Sequence, residues 1–185
     1  ELLEEFFQKM ADYKIECCRK VFENYGRVDG VLYHDDWGTQ RAGFFSNEMF
    51  REQLMPATSR LLKYIKEQGK FIELHSCGKN IQYVPEMIEM GIDMWTPQAV
   101  INDPDFLYET YGDQMAFCFH VEIAPSDTEQ EIRRKMRDFV DHFGAKGRCM
   151  PWIRTDKSIP EQEIIARDEL YNYSLEFYNK QYGRE

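Results

Sequence analysis

The chain has 185 residues, of which 43% are hydrophobic and 30% charged, and its formal net charge at pH 7 is -10. This balance predicts one globular domain over residues 1–185, and the acidic charge argues against nucleic acid as a partner, because phosphate contacts need a basic surface. No apolar run approaches the roughly 20 residues of a membrane-spanning helix and no secretory signal is visible, so we expect a cytoplasmic protein without a membrane partner.

In chain order, the first pattern is helical, because apolar residues recur at helical spacing over residues 1–25. The residues on or near the apolar face are Leu3, Phe6, Phe7, Met10, Cys17 and Val21. The following segments predict a strand over Val28–Trp37, a loop over Gly38–Phe45, a helix capped by Ser46, another helix with Pro56 in its first turn, and a strand from Phe71 that ends in His75-Ser76-Cys77.

The rest of the chain continues this alternation. The segment Ser126-Asp127-Thr128-Glu129 has a capping-box pattern, which predicts the start of a helix. The predicted elements are a short helix over residues 80–90, a strand over Ile92–Pro97, a short helix over Pro104–Tyr111, a strand over Met115–Val121, the helix after the capping box, a strand over about Arg148–Ile153, and a helix from about Pro160 to Tyr182.

Strict alternation of strands and helices predicts an α/β fold with a parallel sheet, either an open doubly wound sheet or a (β/α) barrel. No glycine-rich phosphate loop follows any strand, which disfavours a dinucleotide-binding fold. About five strand–helix units are too few for a (β/α)8 TIM barrel, so the chain is expected to be the later part of a barrel or to be completed by a second copy. Polar residues are predicted at the carboxyl ends of the strands, where barrel enzymes place their chemistry. These residues are Asp35, Asp36, His75, Cys77, Gln98, Glu122 and Cys149.

A metal site is one interpretation of His75 and Cys77. Side chains on a strand alternate between faces, so these two point the same way, and an imidazole beside a thiolate suits zinc. A catalytic zinc needs a third protein ligand, for which Cys149 is the favoured candidate and Cys118, predicted in mid-strand, a weaker one. The five cysteines are an odd number without an export signal, which favours metal binding or catalysis over a disulfide framework. A buried Cys149 and a surface His75 are the alternative.

Several motifs together resemble the uroporphyrinogen decarboxylase superfamily, and within it the zinc-dependent methyltransferases that work with a corrinoid. The resembling segments are His34-Asp35-Asp36-Trp37-Gly38-Thr39-Gln40, Leu74-His75-Ser76-Cys77-Gly78, Gly91-Ile92-Asp93 with Gln98 after it, Tyr111-Gly112-Asp113, and Gly147-Arg148-Cys149. The resemblance covers nearly the whole chain. It implies a (β/α)8 barrel of which this chain is the C-terminal part.

The resemblance also implies a reaction and a site. Zinc would be held by His75, Cys77 and Cys149, and a methyl group would move between a corrinoid (cobalamin) protein and a thiol or folate acceptor. Asp35 and Asp36 would orient the substrate, and Glu122 would act as a fourth ligand or as a base. The alternatives are a porphyrinogen decarboxylase of tetrapyrrole biosynthesis, which needs no metal, and an inactive barrel fragment. A homodimer or a missing N-terminal half would complete the barrel.

Overall fold

The computed structural model describes residues 2–183 and divides into two compact units, one ending at Leu107 and the other beginning at Tyr108. Five strands alternate with helices, and the pairs β1–β2, β2–β3 and β4–β5 are all parallel. This alternation confirms the predicted α/β class with the strand–helix units of a partial (β/α) barrel. Within the described residues, no helix is both long and apolar enough to cross a membrane.

The first unit contains three strands. Its elements are α1 (Leu2–Asn24), β1 (Gly30–His34), α2 (Asn47–Met49), a π-helical turn (Phe50–Leu54), α3 (Met55–Glu67), β2 (Phe71–Ser76), a 3-10 turn (Ile81–Tyr83), α4 (Val84–Glu89), β3 (Met94–Pro97), α5 (Ala99–Asn102) and α6 (Pro104–Tyr111), within which the division falls.

Alternation along β2 gives its sheet two different faces. Ile72, Leu74 and Ser76 are fully buried, whereas Glu73 and His75 are only partly buried. The buried side chains are those of every second residue, as expected for a strand whose one face packs under helices. The second face is therefore the one that presents His75.

The segment between β1 and β2 differs from its prediction. Two separate helices were expected, one capped by Ser46 and one starting near Pro56, but α2, the π-helical turn and α3 follow one another without a break. Ser46 caps this run, because its Oγ accepts the N–H of Met49 at 3.1 Å. Pro56 sits at the start of α3, where the π-helical turn precedes it and its missing N–H is tolerated.

The predicted apolar face of α1 is only partly covered. The predicted apolar stripe is largely exposed, with 52% of Leu3 and 54% of Phe6 accessible, while the buried residue of this helix is Ala11. Phe6, Phe7, Met10 and Ala11 all line one cavity together with residues of α3. Helical periodicity therefore identified the helix and part of the side that faces α3.

The second unit consists of β4 (Ala116–Glu122), α7 (Glu129–Phe143), β5 (Cys149–Arg154) and α8 (Pro160–Tyr182). A capping box does start α7, but it pairs Thr128 with Glu131 rather than Ser126 with Glu129. Asp127 closes the turn before it by accepting the N–H of Ala124 at 2.8 Å, which shifts the cap to Thr128. One cluster of buried residues in the core of this unit consists of Ile123, Ile132, Met136 and Ala166.

Candidate metal centre

The ends of β1 and β2 lie side by side. His34 pairs with His75 in the parallel register, and the backbone N–H of Asp35 donates to the carbonyl of His75 at 3.1 Å. The two chain segments thus remain together beyond the last pair of strand residues. The residues that follow β1 therefore lie close to the residues that follow β2, as expected for parallel strands that end at the same edge of a sheet.

Three potential metal ligands gather at this edge. One ligand atom each from Asp36, His75 and Cys77 lies within 4.8 Å of the other two. His75 Nε2 is 3.3 Å from Cys77 Sγ, and the backbone N–H of Cys77 donates to Asp36 Oδ1 at 2.8 Å. We call these three residues the metal cluster. Asp36 is exposed, and the other two are partly buried.

The geometry of the metal cluster fits zinc. Tetrahedral zinc with Zn–N and Zn–S bonds of about 2.0 and 2.3 Å places the nitrogen and sulfur about 3.5 Å apart, close to the 3.3 Å between His75 and Cys77. Imidazole, thiolate and carboxylate are all ligands that zinc accepts, and three protein ligands leave one coordination position open. Sequence reasoning gave Asp36 a substrate-orienting role, which stays a prediction, and did not place it beside His75 and Cys77. The available signal was its place immediately beyond a strand parallel to the His-x-Cys strand.

Gly78 allows the chain to turn directly after Cys77. Its φ is +96°, and a Cβ at this position would lie 2.2 Å from the carbonyl carbon of Gly38. Only glycine fits such a close approach between two backbones. The N–H of Gly78 donates to Gln98 Oε1 at 2.8 Å, which ties the turn to the end of β3.

Two fully buried asparagines hold the loop after Cys77. Asn80 Nδ2 donates to the Cys77 carbonyl at 2.6 Å and to Ser76 Oγ at 2.8 Å. Asn102 Oδ1 accepts the N–H of Asn80 at 2.8 Å, and its Nδ2 donates to the Gly78 carbonyl at the same distance. This Asn80–Asn102 network fixes the backbone that carries the Cys77 thiol. Sequence reasoning missed both residues, because an asparagine in a loop or at the end of a short helix has no pattern that distinguishes a buried partner from an exposed one.

The electrostatics of the metal cluster favour a bound cation. Partial burial raises the pKa of the Cys77 thiol, and the negative charge and hydrogen bond of Asp36 raise it further. A cation between these groups would reverse that effect, because it stabilises the thiolate. His75 Nδ1 is buried and has no hydrogen-bond partner among residues 2–183. The other ring nitrogen, Nε2, is the one that faces Cys77 Sγ.

Asp35 faces different surroundings from its neighbour Asp36. Its Oδ2 accepts the phenol O–H of Tyr33 at 2.7 Å, and Lys14 Nζ donates to the same phenol oxygen at 2.9 Å. Burial raises the pKa of Tyr33, and the charge of Asp35 adds to this. The structure therefore separates the two predicted substrate-orienting residues: Asp36 joins the metal cluster, and Asp35 belongs to a Lys14–Tyr33–Asp35 chain.

Cys149 lies at the opposite end of its strand from the one expected. It is the first residue of β5 and pairs with Phe117 near the start of β4. The prediction that Cys149 stands at a carboxyl end is wrong, because the strand runs on from it to Arg154. Burial raises the pKa of its thiol to about 12, with a further contribution from Cys118. Its role as a zinc ligand stays a prediction.

Glu122 does lie at a carboxyl end, as the last residue of β4. Its carboxylate accepts Arg154 Nη1 at 3.3 Å, and both side chains are more than half exposed. An exposed pair of this kind contributes little to stability and leaves the carboxylate accessible. The roles predicted for Glu122, as a fourth ligand or a base, stay predictions.

The chain is similar to known proteins both in sequence and in structure. A family model described as uroporphyrinogen decarboxylase (URO-D) matches residues 1–147. Among solved structures, a methyltransferase from Methanosarcina mazei aligns with a TM-score of 0.60 and 18% sequence identity, over 91% of this chain and 47% of its own. The chain thus spans about half the length of that methyltransferase, and the likeness shows a shared fold. No curated protein matches the chain in sequence.

Proposed function

Because the chain belongs to the uroporphyrinogen decarboxylase (URO-D) family, we propose that it forms the metal-binding part of a zinc-dependent methyltransferase. The reaction moves a methyl group between a corrinoid (cobalamin) protein and a thiol or folate acceptor. The observation that carries this proposal is the gathering of Asp36, His75 and Cys77 within 4.8 Å at the end of β2. A fold shared with a methyltransferase agrees with it.

His75 and Cys77 would hold the metal, and Asp36 would be the third ligand. The thiolate of Cys77 and the carboxylate of Asp36 together carry two negative charges, which match the charge of a divalent zinc ion. Two sets of hydrogen bonds fix the ligand positions before a metal binds. They are the bond from the Cys77 N–H to Asp36 and the Asn80–Asn102 network. Cys149 remains the sequence-based candidate for a further ligand.

A zinc ion held there would lower the pKa of an acceptor thiol, so that the thiol loses its proton at neutral pH. A corrinoid, when bound, would supply the methyl group to that sulfur and would keep the electron pair of the broken carbon–cobalt bond. The task of this chain's residues is to bind and orient the acceptor. Ser76, fully buried beneath the metal cluster, supports this by accepting the N–H of Trp37 at 3.1 Å and so holding the β1 end in place.

A porphyrinogen decarboxylase is the second candidate, favoured by the description of the matching family model. In that case the cysteines would be structural and no metal would be needed. The two candidates separate in one assay: a metal-free preparation that decarboxylates a porphyrinogen would decide for the decarboxylase and against the methyltransferase.

Metal analysis of the full chain tests the leading proposal. We expect about one zinc per chain in the purified protein and loss of that zinc in Cys77→Ala. Cys17→Ala is the matched control, because Cys17 is exposed on α1 and lies outside the metal cluster. The same measurement on Cys149→Ala decides whether that residue is a ligand. Full zinc retention in both Cys77→Ala and Cys149→Ala would overturn the proposed site.

A further inference from the structure

A cavity of about 250 Å³ lies in the first unit, between α1, α3 and the end of β1. Its walls are mostly apolar, with side chains such as Phe7, Phe45 and Leu61. A cavity of about 150 Å³ in another protein holds one benzene molecule, so this one has room for a ligand of roughly ten non-hydrogen atoms. The dimensions therefore suit a small organic molecule.

This cavity is separate from the metal cluster. It lies on the helix-covered face of the sheet, where Tyr33 lines it and Leu74, the partner of Tyr33 in the neighbouring strand, is fully buried. His75 follows Leu74 in the strand and so lies on the opposite face, and neither His75 nor Cys77 lines the cavity. Asp36 is a lining residue, but it is exposed and accepts the backbone N–H of Cys77. A molecule in the cavity would therefore be held by side chains other than those of His75 and Cys77.

The charged groups on one wall of the cavity satisfy one another. Lys14 Nζ donates to the phenol oxygen of Tyr33 at 2.9 Å, and the phenol O–H donates to Asp35 Oδ2 at 2.7 Å. Lys14 Nζ and Asp35 Oδ2 are 4.0 Å apart, so their charges offset one another. A further charged group inside the cavity would be buried without a partner, which is costly. The lining therefore favours an uncharged ligand.

Trp37 contributes a hydrogen-bond donor that has no acceptor in the protein. This residue lines the cavity and is only 1% exposed, and within the part of the chain that the structure describes its indole Nε1 has no hydrogen-bond partner. Buried N–H groups in folded proteins nearly always have one. The ring packs edge-on against Phe50, with centroids 5.0 Å apart, and the backbone N–H of Trp37 donates to Ser76 Oγ at 3.1 Å. The indole is therefore held in place, and an acceptor on a bound molecule would complete its hydrogen bonding.

We propose that this cavity is a second ligand site, which takes a small uncharged molecule with an apolar body and one hydrogen-bond acceptor, such as an aryl ketone. The apolar body fills the space between α1 and α3, and the acceptor takes the indole N–H of Trp37. An apolar pocket with a few well-placed polar groups is the usual form of a site for small organic molecules. The inference stands apart from the proposed function, because neither a metal nor a corrinoid takes part in it.

Binding of four probes of similar size to the full chain, measured by NMR titration, tests the inference. Acetophenone has an aromatic body and a carbonyl acceptor, and α-methylstyrene has the same shape with a methylene group in place of the oxygen. Benzoate and benzylammonium carry a negative and a positive charge. We expect both uncharged probes to bind, with acetophenone about tenfold tighter because it pairs a buried donor. We expect the charged probes to bind more weakly than either.

Trp37→Phe tests the role of the indole N–H, because it keeps an aromatic ring and removes the donor. We expect acetophenone to lose its advantage over α-methylstyrene in this variant, while α-methylstyrene still binds. Trp152→Phe makes the same change at a residue of the second unit that is 46% exposed. It should bind both probes like the unchanged chain.

Filling the cavity is the second arm of the test. Ala57→Leu adds three carbons to a lining residue, and we expect it to weaken both uncharged probes by about tenfold or more. Ala145→Leu makes the same change at an exposed position of the second unit and should bind them like the unchanged chain. Ala11→Leu fills the cavity from α1 and serves as an independent variant if Ala57→Leu fails to fold. Cys77→Ala should also bind acetophenone normally, because Cys77 does not line the cavity.

The inference is overturned if neither uncharged probe binds, if α-methylstyrene binds as tightly as acetophenone, or if a charged probe binds more tightly than both. It is equally overturned if Trp37→Phe keeps the advantage of acetophenone, or if the cavity-filling variants bind like Ala145→Leu. Loss of acetophenone binding in Cys77→Ala would place the probe at the metal cluster and would likewise contradict a separate site.

Discussion

The carboxylate of Asp36 accepts a hydrogen bond from the backbone N–H of Cys77 at 2.8 Å, although the two residues are 41 positions apart in the chain. This contact joins the segments that follow two neighbouring parallel strands. It also places a carboxylate beside the His-x-Cys pair and so turns two candidate ligands into three.

Asp36→Asn tests whether the charge of Asp36 binds the metal. Asparagine keeps an oxygen that can accept the Cys77 N–H but loses the negative charge. We expect zinc affinity, measured by competition with a chelator, to fall by more than the roughly 10- to 100-fold typical of losing an outer-shell partner. Asp29→Asn, at an exposed loop residue paired with Arg27, is the control and should bind zinc normally. Equal affinities in the two variants would show that Asp36 is no ligand.

Asn80→Ala removes the side chain that holds the Cys77 carbonyl. Because this leaves buried polar groups without partners, we expect the free energy of unfolding to fall by about 1–3 kcal/mol, measured with urea. Asn172→Ala removes an exposed asparagine of α8 and should change it by less than about 0.5 kcal/mol. We also expect weaker zinc binding in Asn80→Ala alone, and unchanged zinc affinity would contradict the assigned positioning role.

Gly78→Ala and Gly69→Ala form a matched pair, since both glycines have positive φ. Alanine at position 69 meets nothing within 4 Å, so its cost is confined to the left-handed backbone, about 1–2 kcal/mol. Alanine at position 78 would in addition meet the backbone of Gly38. We expect a clearly larger loss of thermal stability in Gly78→Ala, together with loss of zinc. Similar melting temperatures for the two variants would argue against the close approach.

The cysteines should differ in their rates of alkylation in metal-free protein at pH 8. With a pKa of about 12, only about one Cys149 thiol in ten thousand is ionised at that pH, and the side chain is partly buried. Cys17 is exposed and should react first. Peptide mass spectrometry after timed treatment with iodoacetamide measures both rates. Equally fast modification of Cys149 would contradict its placement in β5.

Glu169 makes the stability of the second unit depend on pH. Burial alone would raise the pKa of Glu169, but hydrogen bonds from Arg137 and Arg133 outweigh burial and hold this pKa below its ordinary value. A carboxylate whose pKa is lowered in the folded state stabilises the fold at pH values above its unfolded-state pKa. This stabilisation is lost as the pH falls through the pKa of the folded state.

We therefore expect Glu169→Gln to destabilise the chain in urea at pH 7, by about 1–3 kcal/mol, and by much less at pH 3. Glu163→Gln changes an exposed partner of Arg167 and should have little effect at either pH. A loss from Glu169→Gln that is the same at both pH values would exclude the proposed linkage.

Much of the fold followed from local patterns. The helix over Pro160–Tyr182 has the predicted bounds, and the strand that carries His75 lies where alternation of apolar residues placed it. Helical and strand periodicities depend on residues a few positions apart, so a sequence records them directly. The closeness of His75 and Cys77 is equally local, because a strand returns to the same face at every second residue.

Contacts between distant segments decided the rest. Only the register of β1 on β2 brings Asp36 to Cys77, and only the point at which β5 begins puts Cys149 at the amino end of its strand. The capping box forms at Thr128 because Asp127 closes the preceding turn, and α1 buries Ala11 while Leu3 and Val21 of its predicted stripe stay exposed. The sequence by itself therefore determined the alternating elements and the His-x-Cys pair. The tertiary structure decided which carboxylate lies beside that pair, because Asp36 and Cys77 meet only when separate strands pack.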